Sequence, residues 1–432
     1  MRSQKRHLLE ALAFIGACIA LVAFVVPYLP GASTSLDPSA RASAKLGIDV
    51  DSVMKKEEQV GRGSIKPENS KKYPFIRSDR AYPGFTLFPE VGSSKVKLLN
   101  MAGEVVHEWP FDADRIRLLP NGNVLVVHGS KWGAGVRRWR KLNNVVREYD
   151  WDGELVWEYK VPSRVHHDVQ LLSNGNILGV QRLDLPASMS AELENPLLRN
   201  REIRSDEIFE VNREKKVVWS WLAHEHLDRN SCGKYQCSEE MAQKAAEGDK
   251  SYDWTHINSL SELPQNPWYE QGDTRFRPGN VMFLPRNMST VFIVSKDLGK
   301  IVWTYQGNYR GGLEYGHEVH MIPPGLPGAG NILIFDNGAF RGESVVLEVN
   351  PSTDTIVWKY ENGKDFFCRV QGAAQRLPNG NTLISDDTTP RVFEVTPDGE
   401  IVWQIAGDTM RISRAQRYFA DYAPQFASLP LG

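Results

Sequence analysis

The stretch RLPNGNTLISDDTTPRVFEVTPDGEIVW, from Arg376 to Trp403, contains two signals that recur along the chain. The first is an apolar run broken by Asn-Gly. The second is a turn residue followed by a β-rich triplet that ends in tryptophan. Asn-Gly between alternating apolar runs is a strong signal for a β-hairpin, because both central residues of the tight turn need positive φ angles. The stretch therefore predicts a group of short antiparallel strands.

Both signals repeat. The tryptophan signal occurs six times, as GEVVHEW, GELVW, KKVVW, GKIVW, DTIVW and GEIVW, ending at Trp109, Trp157, Trp219, Trp303, Trp358 and Trp403. The hairpin signal recurs as LLPNGNVLVV and LLSNGNILGV, with looser versions in RPGNVMFLP and GAGNILIFDNG. Repeats of about 40–50 residues with several short strands each are typical of a β-propeller. The sequence predicts an all-β chain with six blades, with each tryptophan packed between neighbouring blades.

The N-terminus differs from the rest of the chain. Arg2, Lys5 and Arg6 precede an apolar run from Ala11 to Val26, which is intermediate in length between the core of a secretory signal and a full membrane span. The basic flank favours a cytoplasmic N-terminus with the remainder exported. An uncleaved transmembrane or signal-anchor helix is favoured over a cleaved signal, so the domain that follows is expected on the extracytoplasmic side of the membrane.

The predicted organisation has four parts. Residues 1–30 form the membrane anchor or signal segment, and residues 31–75 form a flexible Ser-, Lys- and Glu-rich linker. The propeller occupies residues 76–415, and residues 416–432 are a C-terminal tail. Export also permits a disulfide between Cys232 and Cys237 in CGKYQC.

Composition excludes some functions. Hydrophobic residues make up 41% and charged residues 24% of the 432-residue chain, which is ordinary for a globular protein. A net charge of −2 gives no reason to expect the basic face that binds nucleic acid. The phosphate-binding loop GxxxxGK[ST] is absent from the sequence, consistent with a substrate that is not a nucleotide.

Histidines occupy comparable places in three repeats. They are His166 or His167 in HHDVQLLSNGN, His256 in DWTHINSL and His317 in GHEVHMIPPGLPGAGN. The innermost strand of each blade lines the central channel, so these histidines can converge on one mouth of that channel.

Strand alternation refines this expectation. Side chains alternate between the two faces of a strand, so His256 and Asn258 should share one face. His320 should lie on the face opposite to that of His317, where it packs. Glu318 is expected to be a solvated or hairpin residue rather than a catalytic base.

The ordered motifs HHDVQLLSNGNIL, DWTHINSL, NVMFLPRNMSTVFIVSKDLGKIVW and GHEVHMIPPGLPGAGNILIFDNG, together with the stretch around Arg376–Trp403, resemble the bacterial arylsulfotransferases of the PAPS-independent type. The likeness runs from about Tyr82 to about Gly407. It implies a six-bladed propeller that needs no cofactor. It also implies that a channel histidine takes the sulfuryl group from an aryl sulfate and passes it to a phenol.

The resemblance also implies site residues. By position, His317 matches the nucleophile, although Gly316 stands where the family has glutamine. His167 and His256 match the two assisting histidines. The remaining matches are Asn258 in the His-x-Asn motif, Arg286 as the sulfuryl-binding arginine, and Thr388 or Thr389, with His166, as substrate-binding residues.

These residue types suit the chemistry. A neutral imidazole is a competent nucleophile, and a second imidazole can move a proton near neutral pH. Arginine and asparagine can donate hydrogen bonds to sulfuryl oxygens. Two alternatives remain open: a quinone-dependent dehydrogenase, which is also a tryptophan-rich propeller, and a binding or scaffold propeller without catalytic activity. A metal site is not expected.

Overall fold

The computed structural model describes residues 73–91, 93–129, 139, 141–236, 251–407 and 411–432. The predicted membrane segment, most of the predicted linker and Cys237 lie outside these residues. Within the described ranges, no helix is long and apolar enough to cross a membrane.

The strands form six antiparallel blades. The chain begins with β1 (Ile76–Arg77), β2 (Phe85–Val91), β3 (Ser94–Leu99) and β4 (Val105–Trp109). Blade 1 consists of β5 (Arg115–Leu118), β6 (Val124–Val127), β7 (Val145–Tyr149) and β8 (Leu155–Lys160). Blade 2 consists of β9 (Val165–Leu171), β10 (Ile177–Leu185), β11 (Glu202–Val211) and β12 (Val217–Leu222). A separate hairpin follows, with β13 (Ser231–Cys232) and β14 (Tyr235–Gln236), and then β15 (Ser251–Asp253), which pairs with β11.

The remaining blades follow in chain order. Blade 3 consists of β16 (Ile257–Glu262), β17 (Val281–Pro285), β18 (Val291–Val294) and β19 (Ile301–Tyr305). Blade 4 consists of β20 (Glu318–Met321), β21 (Ile332–Asp336), β22 (Val345–Asn350) and β23 (Thr355–Glu361). Blade 5 consists of β24 (Ala373–Arg376), β25 (Thr382–Asp386), β26 (Arg391–Val395) and β27 (Ile401–Ala406), with β1 added beside β27. Blade 6 combines β2, β3 and β4 with β28 (Arg411–Ile412) and β29 (Gln416–Tyr418).

Helices in the described part of the chain are short. The α-helices are α1 (Ala223–His226) and α2 (Pro267–Glu270). The 3₁₀ helices are Ala187–Ser190, Pro196–Leu198, Thr274–Phe276, Arg286–Met288, Tyr309–Gly311, Gly363–Asp365 and Pro424–Ser428. The prediction of an all-β, six-bladed propeller is confirmed.

The two ends of the described chain close the ring. Strand β29 pairs antiparallel with β2, placing Tyr418 opposite Phe85 and Arg417 opposite Thr86. The prediction that residues 416–432 form a tail is therefore wrong. The segment supplies the innermost strand of blade 6, which the sequence did not indicate because β29 is only three residues long and lacks an Asn-Gly turn.

The core is divided among the blade interfaces. Six clusters of buried apolar side chains each combine residues from two neighbouring blades. The six repeat tryptophans also bridge these interfaces, because each indole N–H donates to the next blade. The acceptors, in the order Trp109, Trp157, Trp219, Trp303, Trp358 and Trp403, belong to Asp150, Arg213, Lys296, Asp354, Pro397 and Met101. The tryptophans thus pack between blades, as predicted.

The hairpins form where Asn-Gly predicted them, but through a different turn. In the hairpin of blade 1 the Gly122 N–H donates to the Leu119 carbonyl at 2.9 Å, and Leu119 N–H donates to Asn123 at 2.8 Å. Gly122 has a φ of 87°, whereas Asn121 is not among the residues with positive φ. This is a four-residue turn whose last residue is a left-handed glycine, so only the glycine of the pair needs the special conformation.

Candidate active site

The three predicted histidines lie at the start of innermost strands. His167 is in β9, His256 directly precedes β16, and His317 directly precedes β20. His167 and His256 have φ angles of 60° and 56°, and the pairing of both strands is irregular nearby. Such irregular pairing redirects side chains and is common at functional sites. The irregularity also explains why strict alternation along these strands is a poor guide to where the histidines point.

The hydrogen bonds of His317 fix its tautomer. Its Nδ1 lies 2.8 Å from Asn337 Oδ1 and 3.1 Å from the Tyr315 carbonyl oxygen. The Asn337 amide nitrogen donates to the carbonyls of Cys368 and Gln371, which orients its oxygen toward the ring. Two acceptors at Nδ1 require the proton to be there. Nε2 of the neutral ring therefore carries the lone pair.

Burial and cations keep the His317 ring neutral. The residue is 4% exposed. Burial, followed by the positive charges of Arg414 and Arg286, holds the pKa of His317 well below its usual value of 6.5. The hydrogen bond to Asn337 acts in the opposite direction but is outweighed. At neutral pH His317 is thus a neutral imidazole, with its proton on Nδ1 and a lone pair on Nε2.

The other two histidines form a pair. His167 Nε2 and His256 Nε2 are 3.0 Å apart, and His256 Nδ1 lies 2.6 Å from Asp253 Oδ2. A carboxylate can only accept, so His256 Nδ1 donates the hydrogen bond to Asp253, which orients the His256 ring. Both histidines are partly exposed, unlike His317. Solvent can therefore reach the histidine pair.

Arg286 lies in the 3₁₀ helix Arg286–Met288 and is 6% exposed. Its backbone N–H donates to the His256 carbonyl at 2.9 Å, and its Nη2 is 3.9 Å from Asp253. The guanidinium lies 5.6 Å from the centre of the Tyr315 ring. Its charge also acts on His317. The structure therefore places Arg286 beside both the histidine pair and His317.

A hairpin packs on the turn that carries Arg286. The Lys234 N–H donates to the Met288 carbonyl at 3.1 Å, and Lys234 Nζ donates to the Leu313 carbonyl at 3.0 Å. In the same hairpin Cys232 is disulfide-bonded and its Sγ lies 2.9 Å from the Tyr252 hydroxyl. The predicted partner, Cys237, lies outside the described residues, so that pairing stays a prediction.

Asn258 has a structural contact that the sequence did not predict. Its amide nitrogen donates to the Gly316 carbonyl at 3.0 Å, directly before His317, and the side chain is fully buried. A side chain at position 316 would be crowded, because its Cβ would lie 2.8 Å from Leu284 and 3.0 Å from the Phe335 carbonyl. Asn258 and Gly316 together fix the backbone that carries His317.

The predicted substrate-binding residues make local contacts. His166 pairs with Asp206 at 2.8 Å, and Asp206 also accepts from Thr255 and from the Ile257 N–H. His166 therefore helps to join blades 2 and 3. Thr388 Oγ1 accepts from the Arg369 N–H at 2.9 Å.

Thr389 donates its backbone N–H to Asp386 at 3.2 Å. The two threonines thus lie in the connection between β25 and β26. In the described part of the chain, their hydrogen bonds are to Arg369 and Asp386 rather than to the histidines.

Charged residues fill the channel beyond the histidines. Arg115 is 3.0 Å from Asp168 and 3.1 Å from Glu318, and Arg117 is 2.9 Å from Asp168. These residues come from blades 1, 2 and 4. Burial raises the pKa of Asp168, but the nearby guanidinium groups of Arg115 and Arg117 outweigh it and lower the value to about 2.

Two expectations about β20 need correction. Glu318 is not solvated: it is 5% exposed and paired with Arg115. His320 shares the Glu318 face of β20, and burial lowers its pKa to about 4 while Glu318 raises and Arg117 lowers it. His320 therefore faces the charged channel rather than an apolar core. Because β20 begins at Glu318, His317 lies just outside the strand, and alternation within β20 fixes only the shared face of Glu318 and His320.

Several site residues were missed. Asp253, Asn337 and Arg414 contact or influence the histidines, yet their signals in the sequence are weak. Asp253 lies three residues before His256, a spacing that could have been noticed. Asn337 lies at the end of β21, and Arg414 lies in the segment that was taken for the edge of the fold. Among the described residues, no group of three or more His, Cys, Asp or Glu could hold a metal ion.

Comparisons with solved structures found several similar chains. The similar solved structures include a protein of unknown function from Bacteroides caccae, with 15% identity, a TM-score of 0.48, and coverage of 78% of this chain and 98% of that one. A streptogramin B lyase has 12% identity and a TM-score of 0.42, covering 82% and 96%. Virginiamycin B lyase from Staphylococcus aureus has 12% identity and a TM-score of 0.37, covering 71% and 72%.

These likenesses are too distant to assign an activity, and no curated protein matches the chain. A family model is more specific. The model described as arylsulfotransferase (ASST) matches residues 115–408, which is more than half of the chain and includes all three histidines, Asn258 and Arg286. The chain belongs to the arylsulfotransferase family.

Proposed function

We propose that this protein transfers a sulfuryl group from an aryl sulfate to a phenol through a covalent intermediate on His317. The observation that carries the proposal is the state of the His317 ring. Asn337 and Tyr315 hold the proton on Nδ1, while burial and two arginines keep the ring neutral. Nε2 is therefore a nucleophile that needs no separate base to activate it.

In the first half-reaction the Nε2 lone pair of His317 attacks sulfur. The bond between sulfur and the aryl oxygen breaks, and its electron pair leaves with that oxygen. The leaving oxygen takes the proton held by the His167–His256 pair, whose cationic form Asp253 stabilises. The products are sulfo-His317 and a phenol.

In the second half-reaction an acceptor phenol gives its proton to the now neutral histidine pair. Its oxygen attacks sulfur, the N–S bond breaks, and the electron pair returns to His317 Nε2. Arg286 would bind the sulfuryl oxygens in both steps and stabilise charge that develops on them. The first half-reaction uses the proton of the histidine pair and the lone pair of His317 Nε2, and the second restores both. Donor and acceptor therefore use the same site in turn.

The test is an incubation of the purified protein with 4-nitrophenyl sulfate, with and without phenol. We expect nitrophenol release that depends on phenol, without nucleotide or quinone. Brief exposure to the donor alone should add the mass of one SO₃ group, and peptide mapping should place it on His317. Reduction of an added quinone by an alcohol, without nitrophenol release, would support the dehydrogenase alternative, and the absence of both reactions would support a scaffold propeller.

We further propose that the N-terminal segment anchors the protein and that the propeller lies on the exported side. The support is the basic flank and apolar run from Ala11 to Val26. Fractionation of cells expressing the full chain should recover it with the membranes, with its N-terminus intact. Recovery in the soluble exported fraction, starting near Ser33, would instead indicate a cleaved signal.

A further inference from the structure

Arg414 lies beside the candidate site but outside the part of the chain that matches the family model, which ends at residue 408. It lies between β28 and β29, on the segment that closes the ring. Its side chain is 4% exposed, and its φ of 44° is in the left-handed region. A non-glycine residue in that region is strained by about 1 kcal/mol or more and persists only when surrounding contacts hold it.

Those contacts join Arg414 to the backbone of the site. Its Nη1 donates to the His167 carbonyl at 3.0 Å, and its Nη2 donates to the Asn258 carbonyl at 2.6 Å. Its own backbone N–H donates to Asp387 at 3.0 Å. One side chain from blade 6 therefore holds residues of blades 2 and 3, and its backbone is held by blade 5.

We propose that Arg414 is a positioning residue for the proposed sulfuryl transfer. Through one fork it fixes the backbone of His167 and of Asn258, and through its charge it helps to hold His317 unprotonated. The inference rests on the proposed function for its effect on rate, but its effect on His317 is independent of activity. Lysine cannot reproduce the fork, because a point charge lacks the two parallel donors of a guanidinium.

The electrostatic surroundings of His317 support the charge role of Arg414. After burial, the charge of Arg414 is the strongest influence that lowers the pKa of His317, ahead of Arg286 and the weaker effect of His256. Glu318 partly compensates Arg414, at 3.7 Å from its Nη1. Asp387, which accepts from the Arg414 backbone, is buried, and burial raises its pKa to about 6.

Two variants separate charge from geometry. Arg414→Gln removes the charge, whereas Arg414→Lys keeps the charge and removes the fork. Arg417→Lys is the matched control, because Arg417 is equally buried on β29 but donates to Thr86 and to the Tyr82 carbonyl, away from the histidines. Thermal melts of all three report the structural cost of changing a buried arginine.

The first measurement is the pH titration of His317 by ¹⁵N NMR of histidine-labelled full-length protein, with the signal assigned by its loss in His317→Gln. We expect Arg414→Gln to move the titration to higher pH, because removal of a neighbouring positive charge makes the protonated ring easier to form. Arg414→Lys and Arg417→Lys should leave it unchanged. An unchanged titration in Arg414→Gln would overturn the charge role, whether or not the protein transfers sulfate.

The second measurement is steady-state transfer from 4-nitrophenyl sulfate to phenol. Arg414→Lys should lower kcat about 10–100-fold, since small displacements of reacting groups have effects of that size, with little change in KM. Arg417→Lys should retain wild-type kcat even where it melts at a lower temperature. If Arg414→Lys keeps wild-type kcat, or loses no more than Arg417→Lys, the positioning role is refuted.

Discussion

Replacing Asn337 with leucine tests whether the orientation of His317 matters separately from its charge. Asn337 accepts from His317 Nδ1 at 2.8 Å and donates to the Cys368 carbonyl at 2.7 Å and the Gln371 carbonyl at 2.9 Å. Leucine has nearly the same volume and removes all three contacts. The ring keeps its second acceptor, the Tyr315 carbonyl at 3.1 Å.

The structure sets the expected size of both effects. After the substitution the Cys368 carbonyl still accepts a hydrogen bond from Ser344 at 3.3 Å. The Gln371 carbonyl, in contrast, loses its hydrogen bond from Asn337. A buried group left without its partner costs about 1–3 kcal/mol, so we expect the free energy of unfolding to fall by about 2–4 kcal/mol once the weakened Cys368 contact is included. The ring also gains freedom to turn, which should slow formation of the intermediate by up to about 100-fold.

The assay is a stopped-flow burst of nitrophenolate from 4-nitrophenyl sulfate, combined with denaturant unfolding. Asn331→Leu is the control, because Asn331 directly precedes the other end of β21 and donates to Glu348 at 2.6 Å, away from His317. It should lose stability while keeping the burst rate. A wild-type burst rate in Asn337→Leu would refute the view that this amide orients the nucleophile.

Three further predictions follow from other contacts. His317→Asn should abolish the added mass of one SO₃ group, whereas His320→Asn should keep turnover within about tenfold and mainly lower the melting temperature, by the equivalent of about 1–3 kcal/mol; the reverse pattern would exchange their roles. The pKa of Asp168 is lowered from 3.8 to about 2 in the folded protein, so the ionised carboxylate stabilises the fold at pH values above about 4. This stabilisation, about 2 kcal/mol relative to Asp168→Asn, is lost as the pH falls from about 4 to 2. Parallel acid-unfolding curves for the two proteins would contradict this. Thiol labelling of the unfolded, unreduced protein should find Cys232 and Cys237 protected and Cys368 reactive, and labelling of Cys237 would exclude the predicted pair.

The sequence predicted the parts of the fold that repeat. Six copies of the tryptophan signal predicted the blades, since each indole makes the same bridge to its neighbour. The innermost strand of blade 6 was missed because β29 has neither signal and forms only by pairing with β2, far away in the chain. Long-range pairing of this kind leaves little local trace in the sequence.

The candidate site likewise combines residues that short motifs identify with residues that only the folded chain brings near them. His167, His256 and Arg286 were identified because they lie in short motifs, and the structure places them together. Their partners are set by the three-dimensional arrangement: Asn337 reaches His317 from the end of β21, and Arg414 reaches His167 from the closing segment. Alternation along β20 could not place His317, since the strand begins only at Glu318.

Ring closure by β29 has a consequence for biosynthesis. A ribosome makes Gln416–Tyr418 long after Phe85–Val91, so β2 must wait for its partner with one edge unpaired. Contacts between such distant residues form slowly, and the open edge can meanwhile pair with another chain. Because Arg414 arrives on the same late segment, a nascent chain would acquire its complete site only when the last blade closes. A chain in which β29 has not yet paired with β2 should therefore be inactive.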